Sequence, residues 1–179
     1  MHGAAKGKGL LPRGSTLLWT FLTNKRFKET IAMSKSTNTT EKPLPDGYDT
    51  VFARGPVNPY GKFFTGTSYL TMLSENDSVF HAPIGNVTFE PGTRTFWHKH
   101  SAGQILLVLA GCGLYQERGK SARRIVKGDV VRIAPDVEHW HGACPDSWMT
   151  HVSIETNGAV NKAEWLDPVT DEEYAKAAE

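Results

Sequence analysis

Cysteine is scarce: Cys112 and Cys144 are the only two in 179 residues. Two are too few for a disulfide scaffold, so a reducing, cytoplasmic setting is the expectation, with each thiol a small buried side chain. No run of about eighteen apolar residues occurs, which argues against a helix crossing a bilayer. A dominant charge is missing too. Lys and Arg number 20 against 19 Asp and Glu, so neither nucleic acid nor an anionic membrane is an expected partner. With 39% hydrophobic residues the chain is no disordered polymer, and its length suits one domain with a real core. No internal repeat is visible.

The charge is unevenly placed. Residues 1–45 carry eight basic side chains against two acidic ones, and twelve against seventeen remain for the rest. The apolar run Leu17–Leu22 is short, broken by Thr20 and followed by Lys25, Arg26 and Lys28 where a cleavage site of small residues would be needed. A secretory signal is therefore not the expectation. Leu11-Pro-Arg-Gly-Ser15 reads as a linker, and Met33 opens what looks like a natural start. Residues 1–45 are expected to be an extension, a cloning remnant or a flexible tail, and residues 46–174 to form the folded domain.

From Asp46 onward, short alternating runs are punctuated by Gly and Pro. Ile105–Leu109 is a continuous apolar run ended by Gly111-Cys-Gly113, which predicts a buried strand. Leu114–Glu117 and Arg123–Val126 flank Arg118-Gly-Lys-Ser121 and predict a hairpin. Strand signals recur every 8–12 residues without a helical pattern between them, so an all-β sandwich or barrel is expected. The exception is Asp171–Ala178, a helix with Thr170 as its N-cap. Val51–Leu73 is expected to supply an edge strand that pairs with a second copy.

The histidines carry the chemistry. His98 and His100, like His139 and His141, stand two residues apart, so each pair projects from one face of a strand. Phe96 is expected on the His98 face as a pocket wall. His151, Ser153 and Glu155 share a face in the same way, and a bend brings Gln104 back beside the first pair. Imidazoles and an amide oxygen converging inside a barrel suit a divalent metal ion. His81 reads as a structural residue, and Trp97, Trp140 and Trp148 as core.

Gly92-x5-His98-x-His100-x3-Gln104-x6-Gly111 resembles the first motif of the cupins, and Gly128-Asp129 with His139 resembles the second. More narrowly, Trp97–His100, Gly111–Gly113, His139–Gly142, Met149–His151 and the ending Trp165–Tyr174 resemble the small bacterial cupins that act as manganese-dependent hydroxynitrile lyases. The resemblance implies an all-β double-stranded β-helix (a jelly-roll sandwich) with a short C-terminal helix. It implies His98, His100, Gln104 and His139 as metal ligands, manganese as the ion with iron, zinc or nickel as substitutes, and a homodimer or homotetramer. His141 and His151 then stand beside the open coordination positions as acid–base or orienting groups. Glu155 adds a carboxylate where those lyases carry Gln.

Three imidazoles and an amide are all neutral, so an ion among them keeps its full +2 and favours a developing alkoxide or enolate. The leading expectation is therefore a metal-dependent lyase or isomerase acting on a small carbonyl-type substrate, with hydroxynitrile-lyase-like activity included. The alternatives are a metal-dependent dioxygenase of a small organic molecule and a non-catalytic module that binds a small ligand.

Overall fold

The computed structural model describes residues 42–179. The expectation for residues 1–45 thus falls, up to Glu41, outside the described residues.

Among the described residues, eleven strands and one α-helix follow in order: β1 Phe64–Thr65, β2 Ser68–Ser74, β3 Ile84–Phe89, β4 Arg94–Thr95, β5 His98–His100, β6 Gln104–Glu117, β7 Arg123–Val126, β8 Val130–Ile133, β9 His139–Ala143, β10 Met149–Glu155, β11 Ala163–Trp165 and α1 Asp171–Ala178. One sheet runs β2-β3-β10-β6-β8, the other joins β7, β6, β9 and β4 to β1, and β5 lies between β9 and β11. This is the all-β sandwich that the strand spacing predicts, in the jelly-roll form that the cupin resemblance implies.

Strand β6 belongs to both layers. Gln104–Leu107 pairs with β8, and Cys112–Tyr115 pairs with β7. The apolar run therefore does not end at Gly111, as its glycines suggest; it bends there. Gly111 has φ of +71°, and a Cβ at that position would run into the carbonyl oxygen of Trp148. Only glycine lets the strand turn a corner against that backbone. Across the bend, β10 skips a residue of register between Thr150 and His151.

Val51–Leu73 splits into several pieces. Val57 makes one bridge to Tyr69, Gly61–Phe63 is a single 3-10 turn, and only β1 and β2 are strands. Strand β2 does lie at a sheet edge.

Between the layers, Val87, Phe89, Leu106, Val108, Tyr115, Ile125, Val131, Ile133 and Met149 form the main core. A second cluster joins Trp97, Leu114, Trp140, Val169 and Tyr174 beneath the C-terminal segment. Thr170 caps α1 as expected, accepting from the Glu173 N–H while Glu173 accepts from the Thr170 N–H. Tyr174 then ties α1 to the barrel by donating to the Ala143 carbonyl at 2.7 Å, with the Arg94 guanidinium 4.5 Å from its ring centre. Trp97, Trp140 and Trp148 are all buried, as expected.

One expectation fails in this second cluster. Cys112 and Cys144 are buried, but they form a disulfide rather than two separate thiols. Pairing of β6 with β9 sets Gly113 opposite Ala143, and the residues flanking that pair face each other with Cα atoms 5.7 Å apart. That spacing suits a bridge. A separation of 32 residues hid it from the sequence.

Candidate metal centre

The pleat of β5 turns His98 and His100 inward, and β9 does the same for His139 and His141. His98 pairs with His139 across the β5–β9 ladder, which sets their rings 4.1 Å apart. One ligand atom each from His98, His100 and His139 lies within 4.8 Å of the other two. The three residues are buried.

Two of these rings have a fixed tautomer. His98 Nδ1–H donates to the Phe96 carbonyl at 3.0 Å, and His139 Nδ1–H donates to the Val137 carbonyl at 2.9 Å. Both Nε2 lone pairs are thereby left for the interior. Gln104 opens β6 as the bend requires. Its Nε2 donates to Ser153 Oγ at 2.8 Å, and its Oε1 lies 3.3 Å from His139 Nε2. An amide oxygen so placed faces a nitrogen lone pair, and a cation between them satisfies both. Neither ring nitrogen of His100 has a hydrogen-bond partner among the described residues, although both are buried.

Burial dominates the proton equilibria. It holds His98 and His141 well below the usual histidine range and lowers His100, His139 and His151 to about 4. The rings are therefore neutral near pH 7, as metal ligands must be. Burial raises the Glu155 carboxyl above its ordinary value.

His141 and His151 form a second pair beside the first. His151 Nε2 and His141 Nδ1 share one hydrogen bond at 3.3 Å, and Phe89 packs within 5.8 Å of both ring centres. Thr95 Oγ1 fixes the backbone here by accepting from the His141 N–H at 3.2 Å. Glu155 stands at the end of β10, with Oε1 4.0 Å from His100 Nδ1.

A cavity of about 410 Å³ joins these groups. Its lining combines the polar His98, His100, Gln104, His141, His151, Ser153 and Glu155 with the apolar Phe64, Leu70, Met72, Val87, Phe89 and Trp165. No Lys or Arg side chain is among the lining residues. Phe96 is not on this wall, because the chain breaks strand geometry between β4 and β5. Its intended place is taken by Trp165, which stacks on His98 at 4.7 Å and on Phe63 at 4.6 Å. Trp165 reaches the site through β11, whose pairing with β5 is not visible in local sequence. His81 stands in the β2–β3 connection, outside the cluster.

The donor set fits a divalent cation: imidazole nitrogens held neutral, an amide oxygen, and an unpartnered ring. Residues 85–153 match the Cupin domain family, a span that contains all of these histidines and Gln104. The chain is 41% identical over 123 residues to an (R)-mandelonitrile lyase of Granulicella tundricola, covering 69% of this chain and 91% of that protein. The chain is a cupin. A cupin-like protein of Thermotoga maritima with a solved crystal structure is 51% identical, with a TM-score of 0.70 over 73% of this cupin and 98% of that chain. A protein from the same organism described as a predicted oxalate decarboxylase has TM-score 0.51 at 18% identity, covering 60% of this cupin and 95% of that chain. That likeness is one of fold alone.

Proposed function

We propose that this cupin is a metal-dependent lyase that cleaves or forms a carbon–carbon bond next to a small, neutral carbonyl carbon, with mandelonitrile-type hydroxynitriles as its substrates. The carrying observation is the cavity, lined by His98 and His100 of the histidine triad, by the His141–His151 pair and by the aromatic rings of Phe64, Phe89 and Trp165. Its relation to a mandelonitrile lyase supports the reading. His98, His100, His139 and Gln104 would hold the ion, with manganese expected. When bound, a divalent ion supplies Lewis-acid charge that favours an alkoxide at the substrate oxygen.

The remaining chemistry falls to the chain's own residues. Phe64, Phe89 and Trp165 would hold an aryl ring and exclude water. The neutral His141–His151 pair would take the hydroxyl proton on a ring nitrogen. The carbon–carbon bond then breaks, its electrons leave with cyanide, and the aldehyde forms. Return of the same proton to cyanide gives hydrogen cyanide and resets the pair. Glu155 contributes a negative charge at the cavity edge.

The test is benzaldehyde release from mandelonitrile by the metal-loaded protein, with metal analysis, run with and without oxygen. Metal-dependent turnover that ignores oxygen is expected. Absence of benzaldehyde from the loaded protein would refute the lyase reading, and turnover that consumes oxygen would favour the dioxygenase.

A further inference from the structure

His98 and His139 each donate Nδ1–H to the carbonyl two residues earlier in the chain. Phe96 and Val137 lie just before their strands, so those carbonyls are free to accept. His100 has no such neighbour. The residue two positions before it is His98, inside β5 and paired with Trp165 on one side and His139 on the other. Yet if His100 Nε2 is to offer a lone pair to a cation, its Nδ1 must carry the proton. A buried N–H without an acceptor is left at the full cost of its lost hydration.

One acceptor is within reach. Glu155 Oε1 lies 4.0 Å from His100 Nδ1, too far for a hydrogen bond, and the Glu155 side chain is 35% exposed and free to adjust. Its carboxylate makes no other hydrogen bond or ion pair among the described residues. We infer that Glu155 is a positioning residue, whose carboxylate closes on His100 Nδ1–H when the triad holds its ion and aims Nε2 at it. Such outer carboxylates fix the tautomer of a ligand histidine and raise its basicity. Glu155 would also place a negative charge beside a donor set that is otherwise neutral.

The inference rests on the triad holding a divalent ion, and it is read on binding rather than on turnover. Protein stripped with a chelator is titrated with Zn²⁺ alone, against a competing indicator, for the wild type, Glu155→Gln and Glu155→Ala. Thermal unfolding of each metal-free variant monitors folding. Glu155→Ala should bind Zn²⁺ about 10–100-fold more weakly, and Glu155→Gln, which keeps an uncharged acceptor, should fall between. In nitrogen-15 spectra of the loaded wild type, the His100 Nδ1–H should be a slowly exchanging, downfield resonance. That resonance should move in Glu155→Gln and vanish in Glu155→Ala, while those of His98 and His139 stay. Equal Zn²⁺ affinity in all three proteins, or an unmoved His100 signal, would overturn the positioning role and leave the triad standing. Failure of the wild type to bind Zn²⁺ would overturn both.

Discussion

The Cys112–Cys144 bridge is the feature that most sharply changes what this chain should do in a test tube. Both cysteines are buried among Trp97, Trp140 and Tyr174, so in the native state reagents do not reach them readily. The bridge closes a loop of 32 residues. By the chain-entropy relation, closing a loop of that size removes about 12 cal/mol/K from the unfolded ensemble, or about 3.7 kcal/mol at 25 °C. For a chain of this length that corresponds to about 7–15 °C in Tm. The assay compares urea and thermal unfolding of the oxidised protein, the same protein after reduction, and the double variant Cys112→Ala/Cys144→Ala. Both altered forms should still fold, because the β6–β9 ladder from Gly113 to Glu117 persists without the sulfurs. Two reactive thiols in denatured, unreduced protein would refute the bridge. Oxidised and reduced forms differing by less than about 1 kcal/mol would refute the entropic account.

Four further outcomes are expected. His139→Ala should lose bound metal on dialysis and His151→Ala should keep it; metal analysis showing equal loss would mean the ligand set is drawn wrongly. Burial lowers His100, His139 and His151 to about 4 in the folded chain, while unfolded histidine titrates at about 6.5. The unfolded chain therefore binds more protons in that window, so metal-free stability should be full above about pH 6.5 and fall towards about pH 4; denaturant titrations at pH 7 and pH 5 read the sign. Gly111→Ala sets a Cβ against the Trp148 carbonyl at φ +71° and should destabilise by more than about 2 kcal/mol in urea. Light scattering at micromolar concentration should report a dimer or tetramer, since β2 ends its sheet with the 56–58 segment bonded to its first half and Met72 and Leu73 part-exposed in its second.

Much of the site was legible because strands have a period of two. His98 with His100, His139 with His141, and His151 with Ser153 and Glu155 each announce a shared face from spacing alone, and the structure brings all but His139 to one cavity and sets His139 against His98 and His100. Local rules also suffice for α1, where Thr170 and Glu173 lie within one turn. Other features depend on pairings between distant segments, which no window of sequence contains. The stack of Trp165 on His98 needs the β11–β5 register, and the disulfide needs the β6–β9 register. Phe96 failed for a related reason: alternation is a property of a continuous strand, and the chain between Thr95 and His98 is not one. Gly111–Gly113 misled in the opposite direction, since glycine ends a strand or bends it, and the choice lies with Trp148, far along the chain.

Strand β6 is hydrogen-bonded along both edges, to β8 and β10 in its first half and to β7 and β9 in its second. It cannot peel away without dismantling both layers, so the seat of Gln104 is as durable as the whole molecule. The cavity lining also includes Met72 and Trp165, which come from β2, bonded to β3 and bridged at Tyr69 by Val57, and from β11, bonded to β5. Of the two, β11 has the shorter pairing, three residues with β5 against six for β2 with β3, so its fraying costs few bonds and touches only the outer edge of β5. Local opening is thus expected first at β11, while Gln104 stays anchored in the strand that holds both layers together.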